Sequence, residues 1–457
     1  MTTGSVAGGI YLSTVDATTA GVQTLTLTAG TGDIKFFEQV GGNQRLGDVV
    51  IYQAADVTIG SDSDDTFSAT SFVQSDTTTG TGTFTLNADL DTNTGVVTIS
   101  SKQVDLDASI LTTAGYDTAT TTDNGLVTIN AGTDGFTLAA GATITTTAAL
   151  DSGVKSGAID INSDGNVDLE GDLVTTGAGD SAASGQGATG GKVTIDTTGS
   201  ATLSIANITT SGGAAQALGG TGGTGGYAGE ITLNTNTGVI TLNSSIITAA
   251  GGLGATPEQQ GTGANITFSD AVMLAGPINV IDTGATSGSI AFNNTLNGAQ
   301  ALELTAGTGN IDFEDIVGGA TPLGAVTVKQ AANVTISSAF SAGSFNQSSS
   351  TAGTGRFLLN GAMNTNAGAI TISSATVDLN ANVTTTAGAA NGLVTINAGA
   401  GGVELAYTKA ITTKATAVGT TSGAVDINSV GSVNLSGNLV TTGVAGDEDH
   451  NAGATGG

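Results

Sequence analysis

The chain has 457 residues, including 72 glycines, 12 phenylalanines, 5 tyrosines, and neither cysteine nor tryptophan. The lack of cysteine excludes disulfides and cysteine-ligated zinc. Nine basic residues against 38 acidic residues leave a formal charge of −29, which is the wrong sign for binding nucleic acid. The sequence contains no run of 18 apolar residues, so it predicts no transmembrane helix. Residues 1–9 lack the basic and apolar regions of a secretory signal.

Short segments rich in β-branched residues follow one another along the chain. They include Val96–Ile99, Leu126–Ile129, Ala158–Ile161, Val193–Ile195 and Ile231–Leu233. Apolar and polar residues alternate in them with a period of two, which is typical of half-buried strands. No convincing segment has the 3.6-residue period of a helix, so we predict an all-β chain.

A long internal repeat divides the sequence. Leu27–Gly32 returns as Leu304–Gly309, and Val104–Leu106 returns as Val377–Leu379. The repeat places one copy at about residues 10–285 and a second, truncated copy at about 290–457. No linker separates the copies, so we predict a single continuous segment over residues 1–457.

A shorter period lies inside the long repeat. Its strands end at Ile99, Ile129, Ile161, Ile195, Leu233 and Phe268. The intervals span 30–38 residues, and each interval contains about three short strands. This pattern predicts a right-handed parallel β-helix, or β-solenoid, with one interval per coil. About 14 coils at the spacing of paired strands would give a rod roughly 70 Å long.

The variable parts of the repeat are rich in glycine. Two examples are Gly177–Gly191 and Ser211–Gly229. The run Gly219–Gly226 is followed by neither a Lys-Ser/Thr pair nor a helix, so it does not predict a phosphate loop. We expect flexible loops at one corner of the coil.

Some of these patterns resemble a known group of proteins. Gly309–Phe313 followed by Leu323–Val328, together with the repeated Ile-Thr-Thr strand endings, resembles large repetitive bacterial surface proteins of the filamentous-haemagglutinin-like and autotransporter-type β-strand-repeat kinds. The resemblance covers nearly the whole chain. It implies an exported stalk, extracellular or on the cell surface, used in adhesion or as a filament.

The sequence offers few residues for catalysis. The single histidine, His450, lies in a variable acidic segment that we interpret as a solvated loop. Parallel β-helices also include enzymes that act on polysaccharides, and outward carboxylates such as Asp105 and Asp160 could form an acid–base pair. Aromatic and basic residues are too scattered for a sugar cleft, so we expect no enzymatic activity.

The sharpest motif predicts a metal site. Residues Asp160–Asp168 fit the first nine positions of an EF-hand calcium loop, with oxygen ligands at Asp160, Asn162, Asp164, Asn166 and Asp168 around Gly165. Gly171 stands where the loop needs a bidentate glutamate, and no helices flank the motif. Two β-strands around a glycine corner are therefore the alternative.

Two further surface features are open to a functional interpretation. Asp62, Asp64 and Asp65 lie in an inserted acidic loop, which predicts either a second calcium site or a solvated insertion. Threonine pairs end many third strands, and stacked coils would align them into a ladder. The pairs include Thr112–Thr113, Thr145–Thr146, Thr175–Thr176, Thr209–Thr210, Thr385–Thr386 and Thr412–Thr413. This ladder predicts either an ice-binding face or cross-strand packing.

Taken together, the patterns predict a structural or adhesive segment of a large bacterial surface protein. The alternatives are a carbohydrate-active or carbohydrate-binding β-helix, and an ice-binding protein. Both ends stop inside a repeat, so we expect neighbouring segments of a longer chain or end-to-end self-association. We expect no required cofactor, calcium as the one candidate ion, and surface glycans as a candidate ligand.

Overall fold

A computed structural model describes the following residues: 1–2, 8–75, 82–114, 125–148, 155–179, 185–215, 223–348, 355–366, 368–386, 392–416 and 421–443. Within them lie 38 strands and one short 3-10 turn, Pro257–Gln259. No helix in this part of the chain is long and apolar enough to cross a membrane. The prediction of an all-β chain is confirmed.

The strands follow one another in this order: β1 Ile10–Leu12, β2 Leu25–Thr28, β3 Ile34–Phe36, β4 Leu46–Gln53, β5 Val57–Ile59, β6 Thr66–Gln74, β7 Thr83–Leu86, β8 Asp89–Thr92, β9 Val97–Leu106, β10 Ile110–Ala114, β11 Val127–Leu138, β12 Thr143–Ala148, β13 Ile159–Ser163, β14 Val167–Thr176, β15 Val193–Thr197, β16 Leu203–Ser211, β17 Ile231–Asn234, β18 Val239–Leu242, β19 Ile246–Thr248, β20 Ile266–Phe268, β21 Ala271–Leu274, β22 Ile278–Asp282, β23 Ile290–Phe292, β24 Leu296–Asn297, β25 Ala301–Thr305, β26 Asn310–Phe313, β27 Leu323–Gln330, β28 Asn333–Ile336, β29 Phe340–Gln347, β30 Arg356–Leu359, β31 Met363–Thr365, β32 Ile370–Leu379, β33 Val383–Thr385, β34 Val394–Leu405, β35 Ala410–Lys414, β36 Val425–Ser429, β37 Val433–Leu435 and β38 Asn438–Thr442.

The chain forms two compact units. The first contains residues 1–240 and 247–264, and the second contains residues 241–246 and 265–457. Within each unit the strands pair in parallel with the equivalent strands of neighbouring coils, which is the ladder of a parallel β-solenoid. The prediction that residues 1–457 form one continuous segment, and the prediction of right-handed coiling, stay predictions.

Three columns of paired strands run through the first unit, and we call them tracks A, B and C. Track A passes through Leu25, Val49, Phe72, Val97, Val127, Ile159, Val193 and Ile231. Track B passes through Ile10, Ile34, Val57, Phe84, Val104, Phe136, Val167 and Leu203. Track C passes through Val40, Phe67, Leu90, Ile110, Ile144, Leu173, Ile208 and Ile247. Each coil therefore contributes three strand segments, as predicted.

The coil length changes along the first unit. Successive track A positions lie 23–25 residues apart from Leu25 to Val97 and 30–38 residues apart from Val97 to Ile231. The predicted length thus describes the later coils, because the corners of the earlier coils are shorter. In β11 the segments of tracks A and B join into one strand, whose pairing with β9 shifts register between Ala131 and Gly135.

The inward positions of the tracks build an apolar core. Eleven of the twelve phenylalanines are almost fully buried, and only Phe37 is exposed. In the first unit, ring contacts link Phe36, Phe67, Phe72 and Phe84 at centroid distances of 5.2–5.8 Å. In the second unit, a longer series links Phe268, Phe292, Phe313, Phe340, Phe345 and Phe357 at 4.8–5.8 Å. The phenylalanines that look scattered in the sequence therefore contact one another within and between coils, where they bury large apolar surfaces.

The glycine-rich segments of the first unit form a second ordered layer beside the strands, which we call the glycine lamella. Its outgoing segments are 177–179, 211–215 and 249–254, and its return segments are 155–158, 185–192, 223–230 and 259–264. Neighbouring return segments bond through Gly187 N–H to Thr224 O at 3.0 Å and Gly190 N–H to Tyr227 O at 2.8 Å. Both partners advance by three residues, which is the repeat of the polyproline II helix.

Hydrogen bonds also join the outgoing and return segments. Gly213 N–H donates to Ala188 O, Gly226 N–H donates to Gly213 O, and Gly252 N–H donates to Gly226 O, at 2.8–2.9 Å. A Cβ added at Gly226 would lie 1.9 Å from Ala188 O. None of these three glycines has a positive φ, so close packing rather than backbone conformation requires them.

The prediction of flexible loops at Gly177–Gly191 and Ser211–Gly229 is therefore wrong for their described parts. Residues 180–184 and 216–222, which include the first half of Gly219–Gly226, lie outside the described residues. In the rest, a regular network of backbone hydrogen bonds joins neighbouring segments.

Candidate functional site

A polar groove lies where three successive coils turn from track A to track B. One of these corners lies within β11, at Thr133 and Asp134, and the other two directly follow β13 and β15. Its volume is about 370 Å3, and it is lined by Thr133, Asp134, Asp164, Gly165, Asn166, Thr198, Gly199, Ser200 and Ala201. The corners can stack closely because Gly165 has no side chain: a Cβ there would lie 2.6 Å from both Thr133 O and Gly135 N.

The groove contains only part of the predicted calcium loop. Asp164 and Asn166 line it, whereas Asp160, Asn162 and Asp168 do not. Asp160 and Asn162 occupy outward positions of β13, and Asp168 occupies an outward position of β14 beyond the Gly165 corner. An EF-hand loop curls alternate ligands around one ion. Here the residues with the same spacing lie along two strands on different tracks, so they do not curl around one point.

Ion pairing and hydrogen bonding already engage the polar groups of the groove. Lys102 Nζ lies 2.6 Å from Asp134 Oδ2, and this bond is the main cause that lowers the pKa of the Asp134 carboxyl. The Thr198 hydroxyl donates to Asp164 Oδ1 at 2.9 Å, and the Thr202 N–H donates to Asn166 Oδ1 at 3.0 Å. Across the described chain, no three His, Cys, Asp or Glu side chains converge as metal ligands would. Calcium binding at Asp160–Asp168 stays a prediction.

The second acidic segment is a hydrogen-bonded turn. Asp65 Oδ2 accepts hydrogen bonds from the Ser61 N–H at 3.0 Å and the Ser61 hydroxyl at 3.1 Å. Asp62 Oδ1 accepts a bond from the Asp64 N–H at 3.1 Å. These contacts fit the interpretation as a solvated insertion, since aspartates commonly close turns in this way. A calcium site at Asp62, Asp64 and Asp65 stays a prediction.

The threonine pairs face two directions rather than one. In each pair one threonine is fully buried and donates a hydrogen bond to a glycine carbonyl at the next corner. The bonds run from Thr112 to Gly125, Thr146 to Gly157, Thr175 to Gly191, Thr210 to Gly229, Thr385 to Gly392 and Thr413 to Gly423, at 2.5–2.7 Å. Only the other threonine of each pair remains for the outer face. The predicted ladder is present, since Thr112, Thr146, Thr175 and Thr210 pair in register from coil to coil, but these threonines face the core. Ice binding by the outward threonines stays a prediction.

An outer column of amides, which the sequence analysis missed, runs along track A. Asn130 donates to the Ser100 hydroxyl at 3.1 Å, and Asn162 donates to Asn130 Oδ1 at 3.2 Å. The second unit repeats it, since Asn397 donates to Ser373 and Asn428 donates to Asn397, both at 3.2 Å. The Ser or Asn that directly follows Ile99, Ile129 and Ile161 was the available signal.

The residues considered for catalysis do not converge. Asp105 lies on track B, where Gln103 donates to both of its carboxylate oxygens at 2.9 and 3.1 Å, whereas Asp160 lies on track A. His450 lies outside the described residues.

Comparison with known proteins found no family model, no curated protein and no solved structure that matches the chain. The resemblance to bacterial surface proteins thus remains an expectation.

Proposed function

We propose that the chain is a structural β-solenoid, part of a stalk or filament of a secreted or cell-surface bacterial protein, with no catalytic role. One observation carries the proposal: polar side chains on the outer faces bond mainly to their equivalents in neighbouring coils. The amide column through Asn130 and Asn162 is the clearest case. Such a surface reinforces the coil axis, whereas a catalytic surface leaves polar groups free to meet a substrate.

The core supports the same proposal. Three tracks of buried Ile, Val, Leu and Phe repeat from coil to coil, and buried threonines join each coil corner to a glycine carbonyl. In the described residues, each coil of the first unit is thereby bonded to its neighbours along tracks A, B and C. This arrangement suits a load-bearing element, because force along the axis is shared by many parallel hydrogen bonds.

Charge fits an extracellular rod that associates end to end rather than side by side. A charge of −29 on 457 residues makes the flanks of two copies repel each other. Heterologous contacts between the ends of solenoids build open fibres. We therefore propose self-association, or association with neighbouring segments of the same kind, as the partner interaction.

Electron microscopy of the purified chain, with and without millimolar calcium, tests the proposal. We expect uniform elongated particles that lengthen into filaments as protein concentration rises. If the particles lengthen only with calcium, calcium ions link the copies. Compact particles of constant size at all concentrations would contradict the structural role.

A further inference from the structure

The return segments of the glycine lamella present one regular outer face. In segment 223–230, Thr224, Tyr227 and Glu230 are exposed and the residues between them are buried. In the neighbouring segments the same three-residue spacing leaves polar residues exposed, except Thr189 and Gln259, which are half-buried. We call the whole set the lamella face: Lys155, Gln186, Thr189, Lys192, Thr224, Tyr227, Glu230, Gln259 and Thr262.

The backbone beneath the lamella face holds these side chains in columns. Ser156, Gly190 and Ala228 donate to the carbonyls of Thr189, Tyr227 and Thr262, respectively, at 2.8–3.0 Å. Lys155, Thr189 and Tyr227 each directly precede one of these donors, and Thr262 is the last acceptor. These four residues therefore align in one column across the segments. Along one segment exposed residues recur every three residues, a spacing that corresponds to about 9 Å in a polyproline II helix. The face is preorganised, so little conformational entropy is lost when a ligand binds.

The chemistry of the lamella face is that of a sugar-binding surface. Tyr227 is the aromatic residue of the lamella face, and its side chain is 50% exposed. Thr189 and Thr262 flank it within its column, and Thr224 precedes it by one turn. An aromatic ring offers an apolar surface with a polar tip, and the hydroxyl and amide groups around it can donate and accept hydrogen bonds.

Charge narrows the class of ligand. Two of the nine basic residues, Lys155 and Lys192, lie on the lamella face together with a single acid, Glu230. The face is therefore close to neutral, while the whole chain carries −29 and repels polyanions. Its apolar area is confined to one tyrosine, which is little for a protein partner, since protein interfaces have an apolar centre. Resting on the proposed cell-surface function, we propose that the lamella face binds a neutral polysaccharide chain.

Affinity electrophoresis in native gels tests the proposal directly. The probes are hydroxyethyl cellulose, glucomannan and dextran as neutral glycans, and polygalacturonate as an acidic one. We expect at least one neutral probe to retard the full chain. Tyr227→Ala should weaken that retardation on the order of tenfold, because it removes the aromatic contact. Tyr407→Ala, which alters a tyrosine 78% exposed in the second unit, is the matched control and should bind as the parent does.

A second variant separates binding from folding. Thr189→Val combined with Thr262→Val keeps the shape of the column and removes its hydroxyls, so it should also weaken retardation while circular dichroism stays unchanged. Retardation by no neutral probe, retardation by polygalacturonate alone, or equal binding by Tyr227→Ala would overturn the proposal. None of these results would contradict the proposed structural role. Conversely, compact particles in electron microscopy would contradict the structural role but not the binding of a neutral polysaccharide.

Discussion

The buried hydroxyl of Thr146 donates a hydrogen bond of 2.6 Å to the carbonyl oxygen of Gly157, eleven residues further along the chain. The bond joins the end of track C to the return segment that leads into the next coil. It satisfies a backbone acceptor that has no strand partner. Since five other threonine–glycine pairs repeat it, each such bond closes one coil of the solenoid.

Replacing this threonine tests the closing bond. Thr146→Val keeps the side-chain shape and leaves the Gly157 carbonyl without its donor, so the free energy of unfolding should fall by about 1–3 kcal/mol. Urea denaturation followed by circular dichroism measures the change. The control is Thr145→Val, whose side chain faces outward from the same strand and should change stability by about 0.5 kcal/mol or less. Equal effects of the two changes would show that the buried bond contributes nothing of its own.

The glycine lamella leads to a second prediction. Gly226→Ala places a methyl group 1.9 Å from the Ala188 carbonyl, so the segments must separate. We expect destabilisation on the order of 3 kcal/mol in a thermal melt. Gly179→Ala is the matched control in the same lamella, because its Cβ would meet only Ala214 O at 3.2 Å. It should shift stability by no more than about 1 kcal/mol. A small effect at Gly226 would mean that the layer is loosely packed.

Features of the fold that leave an alternating pattern of apolar and polar side chains could be predicted from the sequence, and features without such a pattern could not. Alternation over Val127–Ile129 and Phe136–Leu138 correctly predicted strand segments, because a half-buried strand must alternate. The edge-to-face contact of Phe36 with Phe67 was not predictable, since corners of variable length hide which residues meet in neighbouring coils. The lamella left only a faint signal, the three-residue spacing of Gly223, Gly226 and Gly229, because glycine carries no polar or apolar pattern.

The candidate site could also be predicted only in part. The motif around Gly165 correctly marked a corner rich in oxygen atoms, and Asp164 and Asn166 do line a groove there. Asp134, which lines the same groove, comes from the preceding coil. Its approach depends on the register between β11 and β13, which no local motif records.

Asp312 provides a prediction on pH. It is half-buried on β26, and burial is the main cause that raises its pKa above the ordinary 3.8, although a hydrogen bond with Thr335 opposes the shift and Glu314 adds to it. A raised folded-state pKa means that protonated Asp312 favours the fold. This contribution is complete below the unfolded-state pKa and is lost as the pH rises through the folded-state pKa.

Asp312→Asn should therefore raise the free energy of unfolding at pH 7, and the advantage should vanish below about pH 4. Glu314→Gln removes a like charge and should act in the same direction by a smaller amount. Urea titrations at several pH values measure both changes. An advantage that grows as the pH falls would contradict the sign of the shift.

Calcium binding can now be tested against the geometry of the groove. Asp164 reaches the groove and Asp160 does not, although both belong to the same motif. We expect Asp164→Asn to weaken calcium binding at least several-fold in isothermal titration calorimetry, because it removes a carboxylate from the groove. Asp160→Asn removes the same charge from the same motif and should leave the affinity within about twofold. Equal losses from both changes would instead mean that the ion gathers the whole Asp160–Asp168 segment around itself, and the strands would have to part to allow it.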